Sequence, residues 1–61
     1  MNKYAISITY LTASGGVCCF AAHDIFADNH VAAQNEGYRR LYADRRRRVG
    51  KVLEGHAWVV S

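Results

Sequence analysis

Between Lys3 and Thr12 the chain alternates with a period of two: Tyr4, Ile6, Ile8 and Tyr10 fall on one side, and Ala5, Ser7, Thr9 and Leu11 on the other. Successive side chains of a strand point to opposite faces, and β-branched and aromatic residues suit a pleated surface, so this segment is predicted to be a strand. Ala13-Ser14-Gly15-Gly16 supplies the turn chemistry that closes a hairpin. Val17 to Ala22 returns as a second strand, ending there or running on through Ile25 to Ala27 across an irregularity near His23 and Asp24.

The pattern then changes period. Asp28 or Asn29 can cap a helix, because the side-chain oxygen accepts from an unpaired amide of the first turn. From His30 to about Asp44, at about 100° per residue, Val31, Tyr38, Leu41 and Tyr42 cluster in one arc with Gly37 at its edge. Glu36, Arg39, Arg40 and Ala43 lie opposite, and Gln34 interrupts the apolar arc. Gly37 costs about 1 kcal/mol relative to Ala in a helix interior. A close approach of Gly37 and Ala33 to the sheet would offset that cost. Continuing the wheel would turn Arg45 inward, so the helix is predicted to stop near Asp44. Arg46 to Leu53 reads as a third strand, with Glu54-Gly55 either a bulge or a turn into a short fourth strand ending at Val59 or Val60.

The expected fold is therefore one small α+β domain spanning residues 1–61: an antiparallel sheet in ββαβ order with one helix packed on one face. A crossover through the helix lets the third strand lie beside the first, in spatial order 2-1-3. One helix covers one side of such a sheet, so the other side must meet water, a second copy or a partner.

Size and composition narrow the picture. A chain of 61 residues buries only roughly 60% of its unfolded surface, which leaves a small core and argues against a deep pocket or a small-molecule substrate. The apolar content of 51% argues against disorder. No run of about 20 apolar residues is present, and Ser7, Thr9 and Tyr10 interrupt the N-terminal segment, so the expectation is a soluble cytoplasmic protein without membrane contact. Cys18 and Cys19 are strand neighbours pointing to opposite faces, which disfavours a disulfide between them; they read as small buried residues.

Charge adds a candidate contact surface. Residues 1–38 carry Lys3 against Asp24, Asp28 and Glu36, a net charge of −2, whereas residues 39–61 carry seven basic groups against Asp44 and Glu54, a net charge of +5. Arg39, Arg40, Arg45, Arg46, Arg47, Arg48 and Lys51 are the candidate residues for an anionic partner. Clustered cations of this kind support non-specific nucleic-acid binding by releasing counterions from phosphates, and Tyr38, Tyr42 and Trp58 offer surfaces on which unpaired bases can stack. No helix-turn-helix, RNP-like signature or GXXG loop accompanies them. The simpler reading is a solvated basic loop where cations complement the C-terminal end of a helix dipole.

No catalytic signature appears. His23, His30 and His56 with the two cysteines lack metal-ligand spacing, so no metal or cofactor is expected. Apolar Val17, Phe20 and Ala21 around the cysteines work against a reactive thiolate, and Ser14-Gly15-Gly16 is too short for a phosphate-binding loop. The aromatics exceed what one helix on three strands needs for a core, and Trp58 in Ala57-Trp58-Val59-Val60 either closes that core or forms an exposed edge or dimer seam. In size and in lacking a catalytic signature, the chain looks like the small accessory proteins of bacteria and phages. The function expected is a non-enzymatic interaction module that binds a protein partner or itself, with Tyr38, Tyr42 and Trp58 as aromatic contacts. The alternative is non-specific nucleic-acid binding through Arg39 to Lys51.

Overall fold

The Lys3–Thr12 alternation is realised as strand β1 (Asn2–Thr12) in a computed structural model that describes residues 1–60. Three further elements follow: β2 (Val17–Ala27), α1 (His30–Ala43) and β3 (Val49–Val59). β1 is the central strand, antiparallel to both neighbours, in the order β2-β1-β3. The fold is α+β with elements in ββαβ order. No helix among the described residues is long and apolar enough to cross a membrane.

The β1–β2 turn is fixed by its own backbone. The Thr12 amide donates to the Gly16 carbonyl at 2.8 Å and the Gly15 amide to the Thr12 carbonyl at 3.0 Å. Gly15 sits at φ 93°, a left-handed conformation that only glycine adopts cheaply. β2 runs on to Ala27 across an irregularity: Ile6 faces Ala22 and Tyr4 faces Ile25, so His23 and Asp24 together oppose Ala5.

β3 is one continuous strand, so of the two readings at Glu54-Gly55 the bulge within a longer strand holds and the separate fourth strand does not, while the expected start at Arg46 is too early. It begins only at Val49, because Asp44 ties the preceding arginines into a turn. Two residues bulge out of its pairing with β1. Leu53 is extra between the pairs Thr9 with Glu54 and Tyr10 with Val52, and Gly50 is extra between Leu11 with Lys51 and Thr12 with Val49. The irregularity anticipated at Glu54-Gly55 thus falls on the residue before them.

Asn29, not Asp28, caps the helix: its Oδ1 accepts from the Ala32 amide at 2.8 Å. The helix ends where the Asp44 amide bonds back to the Leu41 carbonyl at 3.3 Å. Its inward stripe is Ala33, Gly37 and Leu41, spaced by four. Val31 and Tyr42, placed in the apolar arc by the sequence wheel, are 67% and 59% exposed instead. The reason is distance. The helix lies so close to β1 that a Cβ on Gly37 would overlap the Ile6 side chain, and only small residues can occupy the centre of the contact. Tyr38 reaches over β3, where its hydroxyl takes the space that a side chain on Gly55 would fill. Tyr4, Ile6, Ile8 and Tyr10 form the core with Ile25, Ala27, Ala33, Leu41 and Ala57.

Candidate functional site

Parity along the strands assigns each residue to a face. The helix covers the side bearing Tyr4, Ile6, Ile8 and Tyr10, so the uncovered side bears Ala5, Ser7, Thr9 and Leu11 on β1. Opposite these stand Trp58, His56, Glu54 and Lys51 on β3, and Ala21, Cys19 and Val17 on β2. Trp58 therefore does not close the core. It lies beside the fully buried Ala5 on the uncovered face, stacked on His56 with ring centroids 5.5 Å apart. Cys18 faces the helix and is half-buried, whereas Cys19 is exposed on the open face, 3.4 Å from the Ser7 hydroxyl. The expectation of two buried cysteines fails for Cys19 because its strand neighbours there, Ser7 and Thr9, are small and no helix lies above them. Both cysteines are free.

The three candidate aromatics do not share a surface. Tyr38 is packed between helix and β3, Tyr42 projects from the exposed side of the helix, and Trp58 lies beyond the sheet. His56, named in the sequence only among residues without metal-ligand spacing, is the residue that accompanies Trp58.

The arginines divide into two groups by what they touch. Arg39 grips Glu36 with both ends of its fork, at 2.8 and 2.7 Å. Arg40 donates to Glu36 at 3.0 Å and to Asp24 on β2 at 2.7 Å, fastening the helix to the sheet edge. Hydrogen bonds from Arg39, then Arg40, hold the Glu36 carboxyl down from its ordinary 4.5 to about 2. Arg40 does the same for Asp24 in direction, and both guanidiniums are raised in turn. The Glu36 contacts follow i,i+3 and i,i+4 spacing and were readable in the sequence; the Asp24 contact spans 16 residues and was not.

Arg47 is also occupied. It donates to the Tyr10 hydroxyl at 3.2 Å and to Asp44 at 3.1 Å, with its guanidinium 4.9 Å from the centre of the Phe20 ring. The Tyr10 hydroxyl raises its pKa most, with Asp44 assisting. Asp44 also accepts from the backbone amides of Arg46, at 3.1 Å, and Arg47, at 3.2 Å. The turn is thereby nailed to the sheet. Arg48 follows in a left-handed conformation, φ 50°, and its carbonyl accepts from the Ala13 amide at 3.0 Å. That bond draws the arginine turn against the β1–β2 turn.

What projects from this frame is Arg45, Arg46 and Arg48, all exposed and, among the described residues, without a carboxylate partner. Between the two turns, Arg46, Arg47 and Arg48 with Thr12, Ala13 and Ser14 border an open cleft of about 450 Å³. Lys51 lies outside it, opposite Leu11 on the uncovered face. Of the seven candidate cations, the fold thus gathers Arg45 to Arg48 at the hairpin end and commits Arg39 and Arg40 to ion pairs elsewhere. Thr12 and Ser14 join the site only through the long-range contact of Ala13 with Arg48, which no sequence pattern announced. No protein-family model, no curated protein and no solved structure matches the chain.

Proposed function

We propose that the chain is a non-enzymatic interaction module that pairs with a second copy of itself along the outer edge of β3. The observation that carries this reading is the regular, unpaired edge from Glu54 to Val60. β3 has a strand on one side only, and beyond the Leu53 bulge its pairing with β1 is unbroken. The Val60 amide donates to the Lys3 carbonyl at 2.9 Å, so the backbone of Val60, Trp58 and His56 faces β1. The backbone groups of Gly55, Ala57 and Val59 then point outward.

Such a row of free donors and acceptors is a template for another strand, and protected edges carry charges, bulges or covering segments. The β2 edge has such protection in the His23-Asp24 irregularity and the Asp24–Arg40 ion pair. The β3 edge presents Trp58, Val59 and Val60, each more than a third exposed. An antiparallel pairing centred on Ala57 places Gly55 opposite the second copy's Val59 and Trp58 opposite its His56, a non-hydrogen-bonded pair where side chains come closest. The product is a continuous six-stranded sheet with both helices on one side.

Val59→Pro tests the pairing. It removes an outward amide while leaving the bonds to β1 intact, so a folded monomer is expected where the wild type sediments as a dimer at micromolar concentration. A wild type that sediments as a monomer throughout that range would sink the reading.

A further inference from the structure

We infer that the cleft between the β1–β2 turn and the arginine turn is a phosphate site for the backbone of single-stranded nucleic acid. The inference is independent of edge pairing: it concerns the opposite end of β3 and needs only one copy of the chain.

The chemistry of the lining narrows the ligand. Arg46, Arg47 and Arg48 contribute guanidinium donors, Thr12 and Ser14 contribute hydroxyls that bond to each other at 3.0 Å, and among the described residues no carboxylate borders the cleft. The nearest acid, Asp44, already has its carboxylate engaged by the Arg47 side chain and the Arg46 amide, and its backbone carbonyl by the Arg47 amide. A ligand here must be an anion rich in acceptors. The geometry is also built in advance, because Arg47 is held by Tyr10, Asp44 and Phe20, and Arg48 by the Ala13 amide. Arg47 is thus a positioning residue, Arg46 and Arg48 are the groups left free at the cleft, and Arg45, exposed just before them in the chain but outside the lining, adds a third free cation.

Three unneutralised cations in four consecutive positions exceed what one carboxylate or one small anion can satisfy. A polymer presenting successive phosphates satisfies them together, and guanidinium forks match phosphate oxygens in a bidentate manner. An open cleft also lets a strand pass through it. Duplex reading is disfavoured, because the site is a pair of turns with no helix or ribbon projecting to enter a groove.

The test is binding of a labelled oligothymidine to the full chain across roughly 50 to 200 mM salt, beside a titration with inorganic phosphate followed by amide NMR. The expected plot of log K against log salt has a slope near −2, from about −0.7 for each of three phosphates. Replacing Arg45, Arg46 and Arg48 together by Ala should remove nearly all of that slope, and Arg46→Glu alone should weaken binding at least roughly tenfold. Arg39→Gln, which alters an arginine outside the cleft, should change affinity by less than about twofold. Oligothymidine should perturb the amides of Thr12 to Ser14 and Arg46 to Arg48, which reports on the wild type even if a variant misfolds. The inference is overturned if the oligomer does not bind at the lowest salt, or if Arg39→Gln weakens it as much as Arg46→Glu. It is overturned equally if inorganic phosphate shifts those amides while the oligomer binds no tighter than phosphate does, which would make the cleft a free-anion site.

Discussion

The two faces of β1 are built from alternate residues of one segment, yet they behave as different materials. Tyr4, Ile6, Ile8 and Tyr10 are at most 2% exposed and lie under a helix brought close by Ala33 and Gly37. Ser7 and Thr9, one residue away, stand on a side that no element covers, and their neighbours are Ala21, Cys19, His56 and Glu54. The difference shows how so short a chain folds around a single helix. The covered face holds the core aliphatics Ile6, Ile8, Ile25 and Leu41, and the centre of the open face is small and polar enough to meet water. Apolar side chains outside the core lie toward the ends of the sheet, Leu11 and Val17 at the hairpin end of the open face and Trp58 at the far end of β3, where it shelters Ala5 and the strand edge is free.

The sharpest way to break this contrast is to truncate each face in turn. Ile6→Ala should destabilise by about 2–5 kcal/mol, since it removes buried atoms and leaves a cavity beneath the helix. Thr9→Ala, on the other side of the same strand, should stay within about 0.5 kcal/mol. Urea denaturation at one fixed protein concentration measures both, and equal losses would mean that the open face is covered after all.

Gly37→Val probes the spacing between layers. The added atoms would drive into Ile6, with an expected loss of about 1–3 kcal/mol despite the better fate of a non-glycine residue in a helix. A gain in stability would show that the helix can lift off the sheet at little cost.

A smaller effect tests the fastening at the rim. The Glu36 carboxyl is depressed to about 2 from 4.5, so its ion pairs contribute fully above its unfolded value and are lost as pH falls from about 4.5 toward 2. Glu36→Gln should flatten the fall in thermal midpoint across that window. The remaining acid sensitivity would then belong to Asp24 and the other carboxylates.

How much was legible beforehand differs by element. The alternation of β1, the Gly15-Gly16 turn, the irregularity at His23-Asp24 and the stop at Asp44 were all readable, because each depends on neighbours within a few residues. The helix departs from its hydrophobic arc at Val31 and Tyr42, because hydrophobicity alone does not set the inward stripe. What governed the stripe was how closely α1 approaches Ile6, a residue that lies far before the helix in the chain. The arginine cluster was visible as a charge run, but its division into paired and free members was not. Asp24 reaches Arg40 across 16 residues, and Tyr10 reaches Arg47 across 37.

The order and nature of the elements, the position of the turns and the concentration of positive charge in residues 39–48 are written in the chain itself. These are local properties, set by side-chain periodicity, capping and composition. Long-range packing put Gly37 and Ala33 in the contact stripe, set Trp58 on the uncovered face and joined Arg48 to Ala13. Each of those outcomes rests on packing and hydrogen bonding between segments far apart in the chain, and a linear pattern carries no measure of that separation.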